Sequence, residues 1–181
     1  KPVKRAVCFV SAHHYFQLFV NGVRVSGYGA PAPTDPMRTK YYLAYDVTEL
    51  LHEGANCLAA VAHYLGGRGQ NVVDGLPGFI LQAEIAYADG SADTIATDKS
   101  WETLADIPHR IGTPYQQNRR ISAVEDFDAR RLDPRWMLAD DEGEASVADN
   151  RSQAVVAAHI EAQRWPLKWQ PIPEGRVDEL I

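Results

Sequence analysis

Three stretches of this chain gather side chains that could do chemistry. Tyr64, Arg68, Asn71 and Asp74 share one glycine-rich run, Tyr115 and Asn118 a second irregular run, and Glu125 and Asp126 stand side by side in a third. An aromatic ring beside planar hydrogen-bonding groups suits a polyhydroxylated ring ligand, whose apolar C–H face stacks while its hydroxyl rim takes hydrogen bonds. Asn71 and Asp74, next to Gly75, also offer oxygen donors to a hard cation such as calcium, as do Asp149 and Asn150; turn residues solvated by water are the alternative for both pairs. No other cofactor is expected.

Other chemistries fit less well. The glycine-rich run from Gly66 to Gly78 lacks Gly-Lys-Ser or Gly-Lys-Thr and no helical pattern follows it, so it is not expected to cradle phosphate. His13 and His14 are adjacent, and on a strand they would face opposite sides and could not share a zinc ion. Of the six histidines, none is accompanied by a Gly-x-Ser-x-Gly elbow.

The elements that must position these residues read as strands. Tyr15 to Val20 alternates two faces, Asn21-Gly22 supplies a tight turn, and Val23-Arg24-Val25 returns, which predicts a hairpin. Tyr41 to Asp46 reads as a strand running into a single helical turn, Thr48 to Leu51, with Asp46 as its cap and Glu49 in capping-box spacing. Gly54 then releases a strand from Asn56 to Leu65, apolar on both faces and therefore expected at the centre of a sheet. Arg5 to Val10, Phe79 to Tyr87, Asp93 to Thr97 and Phe127 to Leu132 read as further extended segments, Trp101 as a core-edge aromatic in a short strand, and Gln153 onward as a late strand. The proline-rich Gly27 to Thr39 and the polar Pro108 to Ser122 read as long loops, and the acidic Ala139 to Asn150 as a solvated one. At least eight short strands with no long amphipathic helix predict an all-β, antiparallel β-sandwich of jelly-roll, galactose-binding-like kind.

The motifs that carry this pattern resemble the amino-terminal β-sandwich module of bacterial α-L-rhamnosidases. The likeness rests on Leu18 to Gly22, Ala32-Pro33-Thr34-Asp35, Tyr45 to Leu51 and Gly54 to Leu58, and extends through Ala83 to Ser91, Thr97 to Glu102 and Glu125 to Arg130. The resemblance implies a non-catalytic accessory domain of a glycoside hydrolase. In that family the acid and base lie in a separate helical barrel, so this stretch alone is not expected to hydrolyse anything. Its implied partners are the catalytic and other β domains of the same parent chain, and a rhamnose-containing carbohydrate that the loops above could hold. A purely structural spacer without a ligand is the alternative. Where the family has Gly-x-Trp-Tyr-x-Gly after the central strand, this chain has Ala62-His63-Tyr64-Leu65-Gly66-Gly67, without the tryptophan.

Bulk properties agree. The 181 residues suffice for one well-buried core, and 45% hydrophobic with 23% charged residues is an ordinary globular balance. A net charge of -6 without a basic stripe argues against nucleic acid. No apolar run is long enough for a membrane helix. The chain starts at Lys1 rather than Met and is expected to be part of something longer, with a sandwich over 1–164 and an extended segment or linker over 165–181. Cys8 and Cys57 are expected as buried reduced thiols, with a disulfide left open.

Overall fold

The alternation of the first strand decides the layout. In the computed structural model, which describes residues 1–27, 30–32, 34, 39–66, 75–104, 107–115, 123–139, 151–155 and 167–171, β1 spans Val3–Ala12. It buries Ala6, Cys8, Val10 and Ala12 on one face. At His13 the chain leaves this sheet, and β2 (Tyr15–Val20) opens a second one, burying Phe16, Leu18 and Val20. The two inward rows meet in one core that also takes Leu43, Tyr45, Leu81, Ala83 and Ile85. Phe16 bridges the layers edge-on, with ring centroids 6.3 Å from Tyr45 and 6.1 Å from Phe79. Facing inner surfaces of two sheets make this a β-sandwich. The described residues hold no α-helix.

The larger sheet is built on β1. β4 (Lys40–Asp46) and β6 (Phe79–Tyr87) flank it antiparallel, β7 (Ala92–Ala96) pairs with β6, and β10 (Leu167–Trp169) lies on β4. β10 runs parallel to β4, with Leu167 opposite Lys40 and Trp169 opposite Tyr42, so the expected antiparallel pattern breaks at this edge. A strand arriving from far along the chain can take either direction, because no tight turn dictates it. Gln170 fastens this edge: it is buried, its N–H donates to Tyr42 O at 3.1 Å, and its side-chain oxygen accepts from Ala32 N at 2.7 Å.

In the smaller sheet β2 lies between β3 (Val23–Arg24) and β5 (Leu58–His63). β5 is therefore an edge among the described strands, not the central strand its composition implied. Its outer face is apolar because another layer covers it: Trp136 packs edge-on against Phe19 of β2 at 5.4 Å, and Leu138 reaches Gly22. That layer is supplied by Trp136 and Leu138, in and just after the 3-10 turn Pro134–Met137. Phe127 to Leu132, expected extended, instead makes a 3-10 turn at Ala129–Arg131, because Asp128 accepts from Arg130 N and forks with its guanidinium. β8 (Glu102–Leu104) pairs with β9 (Arg151–Gln153), just after Trp101 packs on the core edge; the late strand expected onward from Gln153 falls mostly outside the described residues.

The hairpin turn is also a junction. Asn21 and Gly22 take positive φ of 48° and 81°, as a two-residue hairpin with the right twist demands. The Asn21 carboxamide donates to Leu50 O and to Asn56 Oδ1, both at 2.8 Å, and accepts from Cys57 N at 2.8 Å. Asn56 in turn accepts from His52 N and donates to His52 O. The corner turn Thr48–Leu50 is held by Asp46, whose Oδ1 accepts from Thr48 N at 3.0 Å and from Thr48 Oγ1 at 2.6 Å. Neither cysteine is in a disulfide; Cys8 is buried, which pushes its thiol up to about 11, while Cys57 is only half-buried.

Lys40 is buried at the start of β4, where its ammonium donates to His13 O. Burial lowers its pKa from 10.5 to about 8. The unfolded chain thus holds a proton between these values that the folded chain has released, so folding stability rises with pH across that window. Relative to Lys40→Met, the wild type is expected to gain about 3 kcal/mol as pH rises from 8 to 10.5 and to show no pH-dependent difference below 8, read from urea midpoints; a flat difference across the window contradicts this. Asn21→Ala is expected to cost about 2–3 kcal/mol, from three lost hydrogen bonds and a strained left-handed residue. Asn21→Gly should recover only the backbone part in the same measurement.

Candidate functional site

Of the residues singled out by type, Tyr64, Tyr115, Glu125 and Asp126 fall within the described residues, at the end of the sandwich where the chain changes sheets. His13 and His14 are not on a strand: they form the bend between β1 and β2, so the period-two argument that set them apart does not hold. Their rings approach to 4.6 Å, and both meet Tyr64, His14 stacked on it at 4.7 Å and 12°, His13 edge-on at 5.4 Å. His14 is buried, and its Nδ1 accepts from Leu65 N at 2.9 Å, which ties the end of β5 to the bend.

Tyr64 and Tyr115 serve as latches. The Tyr64 hydroxyl donates to Gly75 O at 2.5 Å, and the Tyr115 hydroxyl donates to Gly66 O. Gly66 and Gly75 are the two residues that bracket 67–74, so each stem of the glycine-rich run is held by one phenol. A Cβ on Gly75 would lie 2.2 Å from the His13 ring, which explains why glycine stands there. Arg68, Asn71 and Asp74 lie inside the bracket, outside the described residues, as do Asn118, Asp149 and Asn150. The described residues contain no group of three side chains able to hold a metal ion.

Glu125 and Asp126 come to the same end on a structure the sequence read as a loop. Residues 108–115 and 123–128 run antiparallel, with bridges His109 to Phe127 and Tyr115 to Ala123 and a hydrogen bond from Arg110 N to Asp126 O at 2.8 Å. Glu125 faces His109 at 3.5 Å, and Asp126 faces Arg110 at 3.5 Å. These carboxylates are solvent-accessible, so the pairs add little to stability. His63, the last residue of β5, sits opposite Tyr15 and near this pair. Partial desolvation of its imidazole lowers its pKa, His109 lowers it further, and Glu125 opposes both, although the side chain keeps solvent access.

The fold thus brings His13 and His14 onto Tyr64, and His63 near His109 and Glu125, groupings that no spacing in the sequence announces. The only local hint is the His13-His14 pair. The site offers imidazoles, phenol rings already engaged with backbone, and an outer rim of Arg110, Glu125 and Asp126. It can present hydrogen-bonding groups to a polar ligand, but its aromatic faces are largely used within the protein. An open groove lined by Lys4, Arg5, Asp46, Thr48, Glu49 and Leu50 lies at the opposite end of β1, about 30 Å away along the strand. Its Asp46 and Thr48 are engaged in the corner turn.

The carboxylates that shape turns are tuned away from acid catalysis. Asp46, Asp89, Asp98, Asp128 and Asp133 each accept hydrogen bonds from the residue two positions on, and these bonds hold all five below the usual carboxylate range, Asp133 at about 2. A general acid working near neutral pH needs the reverse shift.

Comparison with known proteins places this geometry. Residues 1–167 match the model of the α-L-rhamnosidase N-terminal domain. An α-L-rhamnosidase from Streptomyces avermitilis is 29% identical over 143 residues, covering 75% of this chain and 13% of that protein. The crystal structure of the Streptomyces avermitilis α-L-rhamnosidase complexed with L-rhamnose superposes with a TM-score of 0.66 at 27% identity, over 85% of this chain and 15% of that one. That of the α-L-rhamnosidase from Dictyoglumus thermophilum gives a TM-score of 0.66 at 26% identity, over 86% and 16%. The chain therefore spans about an eighth of the length of the curated relative it matches. With its interlocked hairpin and corner turn, its two-sheet core and a match over nearly all its length, the chain belongs to the α-L-rhamnosidase N-terminal domain family.

Proposed function

We propose that this chain is a non-catalytic accessory domain of an α-L-rhamnosidase, a glycoside hydrolase, and that it supports the catalytic domain of the same polypeptide. The observation that carries this reading is the state of its carboxyl groups. Glycoside hydrolysis needs a carboxyl kept protonated and a second one across the bond. Here five aspartates are committed to turns and pushed towards the ionised form. Glu125 and Asp126 are neighbours in sequence that each face a cationic or imidazole partner. The relatives' much greater length leaves room for a separate catalytic domain.

A second role, contact with carbohydrate, is favoured by the rim of Arg110, Glu125 and Asp126 on the strand pair whose Tyr115 holds Gly66, the residue from which the run carrying Arg68, Asn71 and Asp74 departs. Calcium belongs to this second role, through Asn71 and Asp74.

Both roles are testable in the parent enzyme and in this chain. Glu125→Gln and Asp126→Asn in the parent are expected to leave kcat for an aryl α-L-rhamnoside within about twofold, and the 181-residue chain alone to release no aglycone. A tenfold fall in kcat, or turnover by the chain itself, refutes the non-catalytic reading. For the carbohydrate role, L-rhamnose titrated into the chain with and without calcium should give heat at millimolar sugar that Arg110→Ala removes; silence in both titrations leaves the supporting role alone.

A further inference from the structure

We propose that the outer face of the five-stranded sheet, along a stripe formed by Leu167, Trp169, Tyr42, Phe9 and Ile80, is where this domain packs against an adjoining domain of its parent polypeptide. The inference rests on the accessory-domain reading and names the surface through which support is given.

The stripe follows from register. Trp169 lies opposite Tyr42 on β4, and Leu167 opposite Lys40. Phe9 sits opposite Ala44 on one side and Gln82 on the other, and Ile80 lies opposite Ser11. Side chains two apart share a face, so these five point away from the core across four neighbouring strands. Trp169 keeps 54% of its surface exposed, Ile80 51% and Leu167 40%. An apolar row of this length on a sheet face marks an interaction site more often than free surface.

Ring geometry decides what kind of partner fits. Trp169 meets Tyr42 edge-on at 5.8 Å and 81°, and Tyr42 meets Phe9 edge-on at 6.1 Å and 66°. Successive rings are turned against one another, so they form no coplanar platform on which sugar rings could lie flat. They make a corrugated row with ridges and gaps, which takes interdigitating side chains of another protein surface. Such contacts resemble the apolar centre of a protein interface, where tryptophan and tyrosine are the anchors.

The occupant is argued from length. The solved neighbours carry this fold as 15–16% of their chains, so in such proteins a domain like this one is covalently tethered to several times its own mass. Tethering raises the effective concentration of an adjoining domain to the millimolar range, which favours it over a second copy or a free partner. β10 is a suitable carrier because Gln170 pins it to Tyr42 and Ala32, fixing Trp169 in place before any partner arrives.

Cysteine labelling in the full parent enzyme tests this. Trp169→Cys is expected to react with a maleimide at least tenfold more slowly than Ala92→Cys, which lies exposed at the other edge of the same sheet, and the two rates should converge in urea. Leu167→Cys should behave like Trp169→Cys and stands in if the latter does not fold. Equal native rates at 169 and 92 overturn the proposal. Protection that grows with enzyme concentration assigns the face to a second copy, and protection that appears only with added rhamnose-containing polysaccharide assigns it to carbohydrate; either result also overturns it. L-rhamnose release by the unmodified parent is measured alongside, so failure of the rhamnosidase reading is visible separately from failure of the docking face.

Discussion

The carboxamide of Asn21 is the joint on which the rest of the structure depends. One small side chain satisfies the carbonyl at the end of the corner turn, a side-chain oxygen in the following loop and the amide that starts the approach to β5. Its own backbone supplies the left-handed residue that turns the hairpin. The hairpin turn is thereby locked to two segments that lie 29 to 36 residues further along the chain. Few residues could substitute, because asparagine alone combines a tolerance for positive φ with both a donor and an acceptor on a short arm. The motifs by which the chain resembles its family are these interlocked pieces, so the resemblance has a mechanical cause.

A second economy concerns charge. This acidic chain uses many of its carboxylates locally, in Asp-x-Ser, Asp-x-Thr and Asp-x-Arg turns where the carboxylate accepts from the amide two residues on. Such turns close hairpins and start 3-10 turns without help from the core. They also hold those groups ionised, which suits a scaffold and disqualifies them as proton donors.

Two surfaces lie outside the core of the sandwich. One end of the molecule assembles imidazoles and phenols around the bend at His13 and His14, where tyrosine hydroxyls hold the stems of a glycine-rich run. The outer sheet face carries an aromatic row held by a parallel edge strand. Both depend on the same crossover: because the chain leaves the large sheet at residue 13, the smaller sheet covers one face, while Trp169 and Ile80 on the other keep about half of their surface exposed.

Local rules made most of the strands legible. Tyr15 to Val20, Asn21-Gly22, Phe79 to Tyr87 and the corner at Asp46 were readable because period-two alternation and turn chemistry act between near neighbours. The predicted place of Tyr64, Tyr115, Glu125 and Asp126 at one end was readable only as a set of loops. Their hydrogen-bond partners, the meeting of His13 and His14 on Tyr64 and the edge position of β5 were not. An apolar strand looks central whether a neighbouring strand or Trp136 covers it. Likewise, two adjacent histidines face apart on a strand but together in a bend. By itself, then, the sequence determined the alternation, the turns and hence the all-β class, since those interactions span a few residues. Only the tertiary structure decided which distant segments share a sheet edge, a face or an end of the sandwich, because those contacts are chosen by competition among whole surfaces for burial.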